Sequence, residues 1–405
     1  MRKLRWGFAA SIAVLCGCKA NSGPPTEAAG VSFIALEFEG PPGSRWPSLT
    51  PTNSGGALLT WLQPGSGDTA TLAITELAGG RWSPAATVTI HDRFFINWAD
   101  FPSGVEAGPG NWVVHWLERT AERPYAYHVM LSRSSDRGIT WTPAIRAHQD
   151  NSPTEHGFVT MNGQSNGSVD LVWLDGQEMM GKDGGPMQLR SGTIDPDQKL
   201  MPEVVLDGMT CECCQARLIS TSWGKVAAFR DRSTEEVRDI GMVRQENGVW
   251  DQPTLVAQEG WVHRACPVNG PALVSSNDSV GVAWYTEADA TPRVQFAWSG
   301  DRGHTFAPPI RIDQGNPIGR TEAAIAADGS ALVVWLEGID SETAEWRLRK
   351  INGDGSLDAP ITLTTTAGNR RAGFARITRQ GPDLLVAITS AAETPVVKVF
   401  RVRNP

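Results

Sequence analysis

Cysteine, tyrosine and long apolar runs are all scarce in this chain of 405 residues. Six cysteines, three tyrosines and seven histidines stand against 42 glycines, 27 prolines and 16 tryptophans. With so few phenols, any chemistry that needs one has little choice of residue. Beyond residue 15 no apolar stretch approaches the ~20 residues that a membrane-crossing helix requires. Sustained helical periodicity is missing as well, which excludes a mainly helical domain. Positive charge is short: the formal net charge of −8 argues against nucleic acid or an anionic membrane surface as the main partner.

What is present begins with an address. Arg2, Lys3 and Arg5 precede the ten-residue apolar run "WGFAASIAVL" (residues 6–15), the pattern of a signal-peptide core. The run ends in "LCGC" (residues 15–18), which resembles a bacterial lipobox and implies lipidation of Cys18. Lys19 follows, rather than the aspartate associated with inner-membrane retention, so outer-membrane sorting is expected, facing periplasm or exterior. Residues 1–18 are therefore read as a signal peptide, 19–30 as a flexible tether and 31–405 as one domain. Export would place the four remaining cysteines where disulfides persist.

The domain is a repeat. "ALLTW", "WVVHW", "VDLVW", "KVAAF", "VGVAW", "ALVVW" and "DLLVAI" end at Trp61, Trp116, Trp173, Phe229, Trp284, Trp335 and Ile388, at intervals of 51–57 residues. Seven units at near-equal steps, each with room for four short strands, predict an all-β propeller of seven blades. The last unit has length for three strands only. "VSFIALEF" (residues 31–38) is expected to supply the fourth and close the ring, leaving no sheet edge. "SSDRGITW" and "SGDRGHTF", with Asp136 and Asp301 three units apart, are hairpin clips: the aspartate bonds turn amides and the glycine permits the bend.

These two octapeptides match the Asp-box of sialidase-type propellers. The whole domain resembles bacterial BNR-repeat, exo-α-sialidase-like proteins, as do "NWADFP", "EHGFV" and "CPVNGPAL". Sialidases have six blades, so six is the alternative count. The resemblance implies three arginines around a carboxylate, an acid/base aspartate and a tyrosine–glutamate nucleophile pair. These roles fall on Arg45 ("RWPSL"), Arg230 and Arg320, on Asp68, and on Tyr285 beside Glu287. No tyrosine follows the fifth unit, where the family places its nucleophile, so the set is incomplete.

The starts of the inner strands should share one face of the ring. That face collects Trp46, Trp98, Asp100, His156, Asn269 and Arg371 as candidate ligand-binding residues in a central bowl. Counting back 18 residues from Phe229 and Trp284 lands on Cys211 and Cys266, which are matched positions on neighbouring blades. Cys211, Cys213 and Cys214 in "CECC" are therefore expected near Cys266. Along a strand, Cys211 and Cys213 would face one side and Cys214 the other. A disulfide between blades, a Cu or Zn site using these thiolates with His156 or Glu212, and a redox pair all remain open. The other histidines are scattered and read as structural or surface residues. The expected function is an exported, lipid-anchored monomer that binds a glycan or other polar ligand, with exo-α-sialidase-like hydrolysis open. The alternative is a metal, redox or protein-docking platform. Its only membrane contact would be the lipid, and no nucleic-acid partner is expected.

Overall fold

A computed structural model of the chain describes residues 32–67, 69–180 and 184–403. Cys18, the expected signal peptide and tether, and Asp68 lie outside the described residues. Among the described residues the strands form seven antiparallel sheets. Their inner strands are Arg45–Pro51, Ser103–Glu106, His156–Gly163, Arg217–Ser220, Ala272–Ser276, Pro317–Ile325 and Arg376–Gln380, which define blades 1 to 7. Each inner strand packs against the next, and the seventh packs back on the first. The fold is a seven-bladed propeller; the six-blade alternative falls.

Closure follows the sequence reading. Ser32–Glu39 pairs with Val397–Arg403 as the outer strand of blade 7, so the two ends of the chain share one sheet. Arg401 ties them further, reaching Glu37 and Asp383, the latter at 2.8 Å.

The repeated aromatics sit on the second strand of each blade, whose residues are buried on both faces between adjacent sheets. Trp61, Trp116, Trp173, Phe229, Trp284 and Trp335 are all at most 3% exposed. Burial of an indole N–H calls for an acceptor. Asp175 accepts from Trp173 at 2.8 Å, and Glu259 from Trp284 at 2.8 Å. The hairpin clips form as expected. Asp136 accepts from the Thr140 N–H at 2.9 Å and its hydroxyl at 2.6 Å, and Asp301 repeats the pattern with Thr305. Gly138 and Gly303 turn at φ of 83° and 84°, the left-handed region that favours glycine.

One expectation is corrected. In blades 2, 4, 5 and 7 the inner strand starts five to six residues later than the repeat count places it. Residues 97–102, 211–216 and 266–271 are turns and irregular chain instead, and 370–375 begin with the short 3-10 helix Arg370–Ala372. These segments fold over the strand starts, the face called upper below, and close that end of the axis. Trp98 stacks on Phe374 with ring centroids 5.6 Å apart, and the Arg320 guanidinium lies 4.8 Å from the Trp98 centroid. Beneath them Glu322 bridges Arg217 at 2.7 Å and Arg376 at 2.9 Å, joining blades 4, 6 and 7. The expected central bowl is thus filled. A cavity of about 390 Å³ lies further down the axis, lined by Thr50, Glu106, Met161, Arg217, Glu322 and Arg376 among others.

Candidate functional site

The upper face at the junction of blades 4 and 5 concentrates the reactive side chains. Residues 211–216 leave the strand direction in a turn, so the alternation expected of a strand does not apply. Three sulfurs consequently converge. Sγ of Cys211 lies 3.2 Å from that of Cys214 and 3.8 Å from that of Cys213. Cys266 arrives from blade 5 on the Cys213 side, outside the group of three whose sulfurs lie within 4.8 Å of one another. The repeat register therefore brings Cys266 to the same junction as the three clustered thiols. All four are free thiols, so the disulfide between blades, one of the three readings left open, is not formed. Cys211 and Cys214 are buried, Cys213 is half-buried and Cys266 is exposed, which gives the cluster one open side.

The turn is held by charge. Glu212 is paired with Arg232 and, at 3.2 Å, with Arg238. Glu236 binds the same two guanidiniums at 2.7 Å each. Glu212 is thus clamped away from the sulfurs, which corrects its candidacy as a metal ligand. Burial opposes ionisation of Cys211, but the Cys213 and Cys214 thiols and the nearby Arg238 hold it well below an ordinary thiol. Hydrogen bonding with Cys211 pushes Cys213 up, whereas Cys266, beside Cys213, is lowered to about 7. Burial pushes Cys214 up as well, so the neighbours favour a thiolate at Cys211 and Cys266 alone, the sulfurs best suited to act as a nucleophile or a first metal ligand.

Asn269 and Arg230 weld this junction. The Asn269 N–H donates to Cys214 Sγ at 3.4 Å, and its Oδ1 accepts from the Arg320 N–H at 2.6 Å. Arg230, 1% exposed, donates to the carbonyls of Asn269, Arg238 and Tyr285 at 2.5–2.7 Å. Its guanidinium is fully engaged and faces no ligand space. Arg320 is likewise committed to the Asn369 and Gly373 carbonyls, and Arg371 to those of Ala391 and Ala392. Arg45 differs: it is half-buried, 5.9 Å from the Trp46 ring, with its Nε unpartnered. The inferred arginine triad is therefore not assembled. The Tyr285–Glu287 pair is, with the hydroxyl donating to Glu287 Oε1 at 2.5 Å. Trp46 and Trp98 are half-buried in the core rather than lining an open bowl. His156 is fully buried and turned towards Asp150, not towards the thiols.

Asp100, expected in the bowl, is instead buried beside Glu155, a pairing that the sequence did not show. The Tyr127 hydroxyl lies 3.3 Å from Asp100 Oδ2 and 3.4 Å from Glu155 Oε1, while Asp100 Oδ1 accepts the Phe158 N–H at 2.8 Å. Burial raises Asp100 to about 8 and Glu155 to about 7. Their favourable contribution is complete below the ordinary values of 3.8 and 4.5, and is lost as pH rises through about 7 to 8. We expect the wild-type melting temperature to fall between pH 5 and pH 8.5, and Asp100→Asn to flatten that decline. An unchanged slope in the variant would contradict the assignment.

No protein-family profile matches the sequence, and no curated protein matches it. Solved structures do. An ulvan lyase of polysaccharide lyase family 25 superposes over 91% of this chain and 95% of its own, at 9% identity and TM-score 0.58. An α-L-arabinofuranosidase of Fusarium graminearum covers 92% and 98%, at 12% identity and TM-score 0.51. NanB sialidase of Streptococcus pneumoniae overlaps more loosely, over 86% and 83%, at 9% identity and TM-score 0.48. At these identities the likeness shows a fold similar to those of glycoside hydrolases and polysaccharide lyases, and shows nothing of the chemistry.

Proposed function

We propose that this chain is a cell-envelope propeller that binds one soft metal ion, Cu(I) or Zn(II), at the blade 4–blade 5 junction. Cys211, Cys213 and Cys214 are the ligands, with Cys266 as the fourth on the open side. The spacing of the sulfurs carries this reading. Thiolates held about 2.3 Å from one tetrahedral ion sit about 3.8 Å apart, whereas a disulfide needs about 2.05 Å. The 3.8 Å separation of Cys211 and Cys213 matches the first value, and the 3.2 Å separation of Cys211 and Cys214 lies between the two, closer to the first. Soft sulfur selects soft ions. The Asn269 N–H and Arg238 supply the polar support that orients thiolate ligands and offsets their charge. A lipid on Cys18 would tether the protein to the membrane, and fractionation of a Cys18→Ala variant, expected in the soluble exported fraction, checks that part.

A second reading, glycan or polar-ligand binding with hydrolysis, draws support from the Tyr285–Glu287 contact and from the glycan-processing neighbours. Of its three candidate arginines, Arg230 and Arg320 are tied to carbonyls and Arg45 alone is not so engaged. One preparation separates the two. One equivalent of Cu(I) is expected to protect the thiols of metal-free protein from alkylation, and a fluorogenic α-sialoside is expected to remain intact. Equal alkylation with and without metal rejects the first reading. Turnover that disappears in Tyr285→Phe establishes the second.

A further inference from the structure

Three histidines that show no motif in the sequence meet on the same upper face, at the junction of blades 2 and 3. His128 lies on the third strand of blade 2, His148 in the connection to blade 3, and His156 at the start of the blade 3 inner strand. All three are buried, and one ring nitrogen from each lies within 4.8 Å of the others. The His148 and His156 rings are stacked 4.0 Å apart, and that of His128 is 4.8 and 5.2 Å from them.

We infer that this cluster, with Asp150, is a second metal site that takes a borderline divalent cation such as Zn(II) through three imidazoles and one carboxylate. It involves none of the thiols and does not depend on the reading above. The hydrogen bonds around His156 are the main support. Its Nδ1 is 3.1 Å from the Tyr127 carbonyl, which can only accept, so Nδ1 carries a proton. That leaves Nε2 facing the Asp150 carboxylate oxygen at 2.9 Å. Two lone pairs cannot face each other at that distance, so either a second proton or a cation must join them. Donating one ring N–H to a backbone carbonyl while the other nitrogen meets a cation is the usual posture of a metal-ligating histidine.

Nδ1 of His128 and Nδ1 of His148 are buried without a hydrogen-bond partner. His148 Nε2 accepts a long hydrogen bond, 3.3 Å, from the Val129 N–H, so its Nδ1 carries the proton when no ion is bound. Ligation through Nδ1 requires that weak bond to break and the proton to move to Nε2. Asp150 is the outer wall of the cluster: its side chain is 20% exposed, which leaves a way in for an ion. Asp175, 3.7 Å from His156, has both oxygens engaged by the Trp173 and Gln177 N–H groups, whereas Asp150 accepts the Ser152 N–H and hydroxyl on Oδ2. Nitrogen and oxygen donors in this number suit Zn(II), unlike the sulfur set across the face.

The test is titration of the full, metal-free chain with Co(II), read by absorption. We expect two classes of bound ion. One shows intense thiolate charge transfer, and the other ligand-field bands alone. His128→Gln and His148→Gln should each weaken the second class by about 100-fold or more and leave the first unchanged. Wild-type behaviour in both variants, or a single charge-transfer class in the wild type, overturns the inference. Should a variant fail to fold, the wild-type Co(II) protein decides by NMR. Hyperfine-shifted imidazole N–H signals support the site, and their absence removes it. Loss of the charge-transfer class alone would instead count against the thiolate site.

Discussion

Cys214→Ser is expected to weaken Cu(I) or Zn(II) binding at the blade 4–blade 5 junction by about two to three orders of magnitude. Structural zinc sites are worth about 10–16 kcal/mol in all, and one ligand of four carries a share that converts to such a factor. Cys214 is the informative position because it is 2% exposed and its sulfur is 3.2 Å from that of Cys211. Serine nearly keeps the volume, and its hydroxyl can still accept the Asn269 N–H that Cys214 receives at 3.4 Å. The propeller should therefore stay folded while the ion is lost. Competition against a chelator of known affinity measures the change. Cys266→Ser, on the exposed side, should cost less. Equal affinities for wild type and Cys214→Ser would remove the thiolate site.

The second large effect concerns stability. Glu322→Gln is expected to cost about 3–5 kcal/mol, because it leaves two guanidiniums near the axis without their shared carboxylate. Glu322, Arg217 and Arg376 have side chains 10–14% exposed, and one oxygen of Glu322 serves both arginines. Arg376 is already strained, lowered to about 10 by burial and by the Arg217 charge. Gln215 reaches it at 2.9 Å but brings no charge. The loss should appear as a lower urea midpoint at an unchanged slope. Arg371→Ala, on the exposed rim, is the control and should change stability by less than about 1 kcal/mol. A Glu322→Gln protein as stable as wild type would show that this cluster does not hold the blades together.

The fold could be read from the sequence because burial imposes a period. Each second strand lies between two sheets, so Trp61 to Ile388 recur at the same point of every blade and can be counted. The matched placement of Cys211 and Cys266 follows from the same count. The conformation between those markers does not. A residue count places the "CECC" segment but cannot distinguish a strand from a turn, and the turn is set by Glu212 meeting Arg232 and Arg238 from another part of blade 4. The availability of the arginines was equally hidden. Arg230, Arg320 and Arg371 are engaged by backbone carbonyls, which every residue possesses and no sequence pattern marks. His128, His148 and His156 come from three different phases of the repeat, so their meeting leaves no spacing to recognise.

X-ray absorption at the copper edge, on protein loaded with one equivalent of Cu(I) under anaerobic conditions, tests the central claim most directly. The account predicts a first shell of sulfur, supplied by Cys211, Cys213 and Cys214 and completed by Cys266. A shell of nitrogen and oxygen without sulfur would contradict it.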